Sequence, residues 1–205
     1  MKPTVVAFTG ASGILYGVRL VRALLEVQRP VALIISEAAR LVIREELGIS
    51  MKSYTNREAL SELLGCETKL LSAYAPKDFS APVASGSYPT EGMIIVPCSM
   101  GTLGAVASAV SQNLIHRAAD CTLKEGRRLI LVPRETPLSA LHLENMLKLA
   151  RLGVRIVPAM PGFYSGAQGL QEIVDFMAGK ILDQMEIPHA LYPRWTGSLT
   201  PHENA

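Results

Sequence analysis

Arg134 and Glu135 stand side by side where an apolar run, LILVP, gives way to a polar one, RETPLSALHLENMLKL. Opposite charges at the mouth of a buried sheet either tie down a turn or face a ligand. A surface ion pair at a turn contributes only ~0–1 kcal/mol, so stability alone gives little reason to put the pair there. Other segments carry related chemistry. Thr9-Gly10-Ala11-Ser12-Gly13 is a small-residue turn ahead of a helical run. Its glycines let a ligand approach the backbone, and free N–H groups at a helix start favour an anion. It is not GxGxxG and has no P-loop lysine, so it suits a plain strand–helix turn as well as a phosphate or flavin contact. Cys98-Ser99-Met100-Gly101-Thr102 is a second turn of this kind. Two in one sheet favour a phosphate-bearing cofactor more than either does singly.

The remaining polar residues are weaker signals taken alone. Ser36 before Glu37 reads as an N-cap, and Glu45-Glu46 as a solvated face. Arg117 and Lys124 are seven apart and share a face if their stretch is helical. Tyr164 lies in a further Gly/Pro turn, AMPGFYSG. Together these segments offer hydroxyls, N–H donors, Arg, Glu and Tyr. That set suits an anionic cofactor and an anionic substrate, with positioning and electrostatics carrying the chemistry.

Other chemistries find little footing. His116, His142, His189 and His202 are isolated and lack zinc-motif spacing. There is no GxSxG elbow. Cys66, Cys98 and Cys121 form no CxxC and read as thiols of a reducing compartment. The net charge of +2, with no basic run longer than Arg127-Arg128, argues against nucleic acid or an anionic membrane surface. No apolar stretch reaches the roughly 18 residues of a membrane span. MKPTVVAF enters a strand without a signal peptide. The expected location is cytoplasmic.

Elements must carry these residues. The 205 residues suit one α/β domain with a large core, filled by Val, Ile, Leu and Ala because only 5% are aromatic. Short apolar runs predict strands at 4–8, 31–36, 92–97, 129–133 and 154–158, with 69–74 as one more. Helical patterns fill 14–26, 37–47, 57–64, 102–110, 138–151 and 170–185. The alternation predicts a three-layer, doubly wound, Rossmann-like (flavodoxin-like), mainly parallel sheet. In such sheets ligands bind beyond the carboxyl ends of the strands. APKDFSAPVASGSYP, at 75–89, is a long loop that either crosses the surface or covers a ligand. Residues 1–185 form the domain, and the Pro-rich 186–205 an arm docked on the site or on a neighbouring subunit. A mean hydropathy of +0.25 suggests apolar surface buried between subunits.

Along nearly its whole length the chain resembles the UbiX-type flavin prenyltransferases. The likeness rests on TGASG…YGVRL, on APVASGSYPTEGMIIVPCSMGTL, and on NLIHRAADCTLKEGRRLILVPRETPLSALHLENMLKLARLGVRIVPAMPGFY. VPRETP, HLENMLKL and PGFY are specific in combination. The resemblance implies a metal-independent transferase that uses reduced FMN and dimethylallyl phosphate. It joins the prenyl group to flavin N5 and closes a ring through C6. The prenylated FMN then serves a UbiD-type decarboxylase, and members commonly form dodecamers. Flavin contacts then fall on Gly10, Ala11, Ser12, Ser36, Ser99, Met100, Gly101, Thr102 and Arg134. Prenyl-phosphate contacts fall on Lys124, Arg134, Tyr164 and Lys180. Arg117 matches a basic position that supports the site, and Trp195 the tail aromatic. Ser12, Glu46, Lys124 and Glu135 are the expected catalytic groups, Glu135 assisting proton removal at C6.

Two departures bear on specificity. Lys180 stands where relatives often carry Arg, which loses a bidentate fork. Phe79 stands where some carry Trp. An FMN-dependent cysteine decarboxylase of the same architecture is one rival. Such enzymes carry a catalytic His and a PASANT-like motif, where this chain has PCSMGT and Glu46 near the His position. A non-catalytic FMN carrier is another, but it leaves Lys124, Arg134 and Tyr164 unexplained. Direct decarboxylation of an aromatic acid is a third.

Overall fold

The computed structural model describes residues 1–195. Six parallel strands form one sheet: β1 (Thr4–Phe8), β2 (Val31–Ile35), β3 (Leu71–Tyr74), β4 (Gly92–Cys98), β5 (Arg128–Pro133) and β6 (Arg155–Ile156). Their order is β3-β2-β1-β4-β5-β6, all paired in parallel. The chain winds outward from β1 in one direction, then returns and winds in the other. The reversal falls between β1 and β4, which fixes where a ligand crevice opens.

Alternate strand residues feed two separate cores, as a period of two requires. Val6, Phe8, Leu33, Ile94 and Val132 pack with α1 (Ile14–Glu26), α2 (Glu37–Leu47), α3 (Arg57–Leu64) and α7 (Leu170–Gln184). Val5, Ala7, Ile34, Ile95 and Leu131 pack with α4 (Met100–Ala107), α5 (Leu114–Lys124) and α6 (Ala140–Arg151). The three-layer, doubly wound fold expected from the alternation is the fold observed.

Local chemistry sets the ends. Ser36, Asn56, Ser99, Asn113 and Ser139 each accept a backbone N–H from the first turn of the following helix. So α5 is helical, and α4 starts two residues earlier than the pattern suggests because Ser99 caps it. It also stops three residues earlier, as Ala109 takes a left-handed φ of 54°. β6 is shorter than the run at 154–158, yet Val157 and Ala159 still donate to Leu131 and Pro133 carbonyls at 2.8 and 3.0 Å. Pro158, lacking an N–H, divides those two bonds.

Among the described residues no helix is long and apolar enough to cross a membrane. Residues 187–195 of the expected arm lie against α7 of their own chain, through Ile187, His189 and Tyr192. The rest of the arm, 196–205, lies outside the described residues.

Candidate functional site

The crevice at the reversal point has a volume of 510 Å³ and is lined by Gly10, Ser36, Ala38, Pro76, Ser99 and Thr102, among others. Both small-residue turns open into it. Thr9, which sequence reading treated only as part of a turn, locks them together. Its buried hydroxyl donates to the Pro97 carbonyl and accepts from Ser99 N–H, both at 2.8 Å. A hydroxyl directly after a strand was the available signal.

Space at the turns suits a ligand lying against backbone. A Cβ on Gly10 would sit 2.5 Å from the Ala38 methyl, so only glycine lets α2 close over this turn. Among the described residues a Cβ on Gly101 would meet nothing within 4 Å, so the start of α4 faces open space there. Ser99 Oγ donates to Thr102 Oγ1 at 3.1 Å, which leaves Thr102 its own proton for a further acceptor. Ser36 Oγ accepts from Ala39 N–H at 3.0 Å and keeps its proton too. These donors fit an anionic, hydroxyl-bearing cofactor.

One further atom fits such a guest. His116 lines the crevice, is 7% exposed, and its Nδ1 has no hydrogen-bond partner among the described residues. Burial lowers its pKa, so the ring is held neutral. Cys98 lies at the end of β4, but burial pushes its thiol up and denies it nucleophilic character. Among the described residues no group of His, Cys, Asp or Glu could hold a metal ion.

Arg134 stands next to the crevice. Its N–H reaches the Cys98 carbonyl at 3.4 Å and its side chain is exposed. Glu135 accepts from Thr136 N–H at 3.0 Å, and no ion pair joins it to Arg134 among the described residues. The two charges therefore do not tie the turn by pairing with each other, although Glu135 holds it through the Thr136 N–H. Tyr164 is exposed and packs edge-on against Phe176 at 5.7 Å and Trp195 at 6.3 Å. Lys180 is half-buried on α7.

Three expected residues stand differently from a ligand set. Glu46 accepts from Gly13 N–H at 2.9 Å and Ile14 N–H at 2.9 Å, which makes it a cap for α1 beside exposed Ser12. Arg117 spends its guanidinium on the Ala84 carbonyl and Asp120, both at 2.9 Å, and so pins the long loop. Lys124 is not brought to Arg134. It pairs with Glu125 at 2.5 Å beside Gly86, before β5 begins, whereas Arg134 follows the strand's end. The six residues of β5 span ~20 Å between the two.

A larger recess, 690 Å³, lies at the amino ends of the strands among Arg29, Arg127, Arg128 and Arg155. Most of its cations are engaged: Arg127 with the Tyr88 and Gly86 carbonyls, Arg128 with Glu186, and Arg155 with Gln184. Size favours this recess, but its chemistry does not.

The Flavoprotein family model matches residues 1–182. The flavin prenyltransferase UbiX of Halalkalibacterium halodurans is 50% identical over 190 residues, 93% of this chain and 91% of that protein. The crystal structure of AnUbiX (PadA1) in complex with FMN and dimethylallyl pyrophosphate superposes with a TM-score of 0.85 at 37% identity, covering 97% of this chain and 99% of that one. A dodecameric FMN-dependent Ubix-like decarboxylase from Escherichia coli O157:H7 superposes with a TM-score of 0.84 at 40% identity, covering 95% and 100%.

Proposed function

Because the chain belongs to the Flavoprotein family and, within it, to the UbiX flavin prenyltransferases, we propose that its crevice binds reduced FMN against a prenyl phosphate. The reaction moves a dimethylallyl group from dimethylallyl phosphate to N5 and C6 of the flavin, releasing phosphate. The observation that carries this reading is the crevice itself. Two glycine-bearing turns offer N–H groups and hydroxyls at the β1–β4 reversal, and an exposed arginine stands at the adjoining strand end.

Gly10, Ala11 and Ser12, with Ser36 and Ser99–Thr102, bind the flavin's phosphate and ribityl chain. Glu46 acts through the turn it caps, holding Ser12 toward the reacting edge of the ring. Arg134 serves both guests. Tyr164 and Lys180 join it on the departing phosphate, which leaves only when its charge is neutralised. Lys124 belongs to this set only if it comes from a second copy, since β5 separates it from its own Arg134. The Escherichia coli relative is a dodecamer, and a homo-oligomer would supply that second copy. Arg117 holds the 75–89 loop near the entrance through the Ala84 carbonyl. Glu135, at the mouth of β5, takes the proton at C6.

The recipient of prenylated FMN is a UbiD-type decarboxylase. With three free cysteines, the enzyme works in a reducing compartment, the cytoplasm. Purified protein given reduced FMN and dimethylallyl phosphate is expected to yield a flavin heavier by one prenyl unit in mass spectrometry. Recovery of unmodified FMN alone, under conditions where the protein binds it, would overturn the reading. Decarboxylation of an aromatic acid without a second enzyme would do so as well.

A further inference from the structure

α7 carries a notch. A Cβ on Gly179 would lie 2.6 Å from Tyr192 Cδ1 and 2.7 Å from His189 Cε1, so the tail lies directly on helix backbone there. One turn on, the Asp183 carboxylate gathers the tail's polar groups. It takes His189 Nε2 at 3.0 Å and the Tyr192 hydroxyl at 2.5 Å. It also takes both ends of the Arg194 fork, at 2.7 Å each. Such a bidentate pair fixes geometry as well as contributing energy. Burial alone would raise this carboxyl's pKa, but hydrogen bonds from Arg194, Tyr192 and His189 hold it down at about 2.

From this hub, contacts run to the site by two routes. Tyr192 packs on Phe176 at 5.0 Å, and Phe176 meets Tyr164 at 5.7 Å. Arg194 immediately precedes Trp195, whose ring stands edge-on to Tyr164 at 6.3 Å. One carboxylate therefore fixes both ends of an aromatic ring of contacts that closes at Tyr164.

We propose that Asp183 is a positioning residue for the prenyl-phosphate end of the site. It straps residues 189–194 across the Gly179 notch and so sets Trp195 and Tyr164 at their mutual angle. This rests on reading Tyr164 as a contact of the prenyl donor. Asp183 touches no substrate and acts through the tail.

Trp195 is the only tryptophan, so its fluorescence reports the strap without any turnover. Trp195 is already 60% exposed, so Asp183→Asn should act by freeing its ring from the edge-on contact with Tyr164, changing its emission and lowering its fluorescence anisotropy. Dimethylallyl phosphate KM should rise roughly tenfold, as loss of charged hydrogen bonds implies, with kcat changed by less than about twofold. FMN affinity should stay at the wild-type value. Gly179→Val, which lifts the strap from the helix side, should give the same pattern, and Asp183→Glu should restore part of both readouts. An unchanged emission spectrum in Asp183→Asn would show that the carboxylate does not hold the tail. A shifted spectrum with unchanged KM would show a strap without a role in the site. Either result overturns the proposal while wild-type product still forms; if the catalytic reading itself fails, the wild type forms none.

Discussion

The Glu46 carboxylate, on α2, accepts hydrogen bonds from Gly13 and Ile14 N–H at the start of α1, each at 2.9 Å. Gly13 has no side chain to cap its own helix and adopts φ 105°, so the cap is imported from a neighbouring helix. A carboxylate there also complements the helix dipole.

A cap and an acid–base group respond differently to loss of charge. Glu46→Gln keeps an oxygen acceptor, so it should retain most stability and most product formation. Glu46→Ala should lose ~1–2 kcal/mol of unfolding free energy and weaken FMN binding at the Ser12 turn. Urea unfolding and flavin titration on both variants check this. A loss of turnover in Glu46→Gln at wild-type stability would instead make the carboxylate a chemical participant.

Lys124 and Arg134 stand at opposite ends of β5. Separate Lys124→Ala and Arg134→Ala variants should each be nearly inactive. Unfolded together, mixed and refolded, they should regain activity, with about a quarter of the sites intact if copies assort at random. A site confined to one chain would regain none.

Glu135 is exposed and held by Thr136 N–H at 3.0 Å, where it can point into the mouth of the sheet. Glu135→Gln should continue to release phosphate from dimethylallyl phosphate while the ring-closed product fails to accumulate. Phosphate assay beside mass and absorption spectra of the flavin separates the two steps. Ring closure at the wild-type rate would remove Glu135 from the chemistry.

His116 is buried, and burial lowers its pKa below the ordinary 6.5. The unfolded chain therefore binds a proton near pH 6.5 that the folded chain resists. Stability should decline as pH falls through that range. Replacing His116 by Leu removes Nδ1, which has no partner among the described residues, and should flatten the decline between pH 7 and pH 5. Urea midpoints at the two pH values measure it. An unchanged slope would mean that another group titrates.

The strands were legible because both faces are covered, so each reads as an unbroken apolar run. Ser36 was legible as a helix start for a local reason, an oxygen three residues ahead of an orphan N–H; Asn113 and Ser139 cap α5 and α6 in the same way, but the sequence reading passed over both. The two turns at the crevice were legible as turns because each sets small residues directly between an apolar strand and a helical run. Glu46 and Gly13 were not, since the contact spans 33 positions and depends on how α2 leans across α1. The tail hub at Asp183 was hidden for the same reason: nothing in DQMEIPHALYPRW says that three side chains will fold back on one carboxylate. The placing of Lys124 could have been read. A residue before a strand and one after it cannot meet unless another copy intervenes.

The contact between Gly10 and Ala38 leaves a mark on how this protein can vary. With a would-be Cβ only 2.5 Å from the Ala38 methyl, Gly10 cannot grow while Ala38 stays as it is. A larger residue at Gly10 must arrive together with Ala38→Gly, or α2 tilts outward and the wall of the crevice opens.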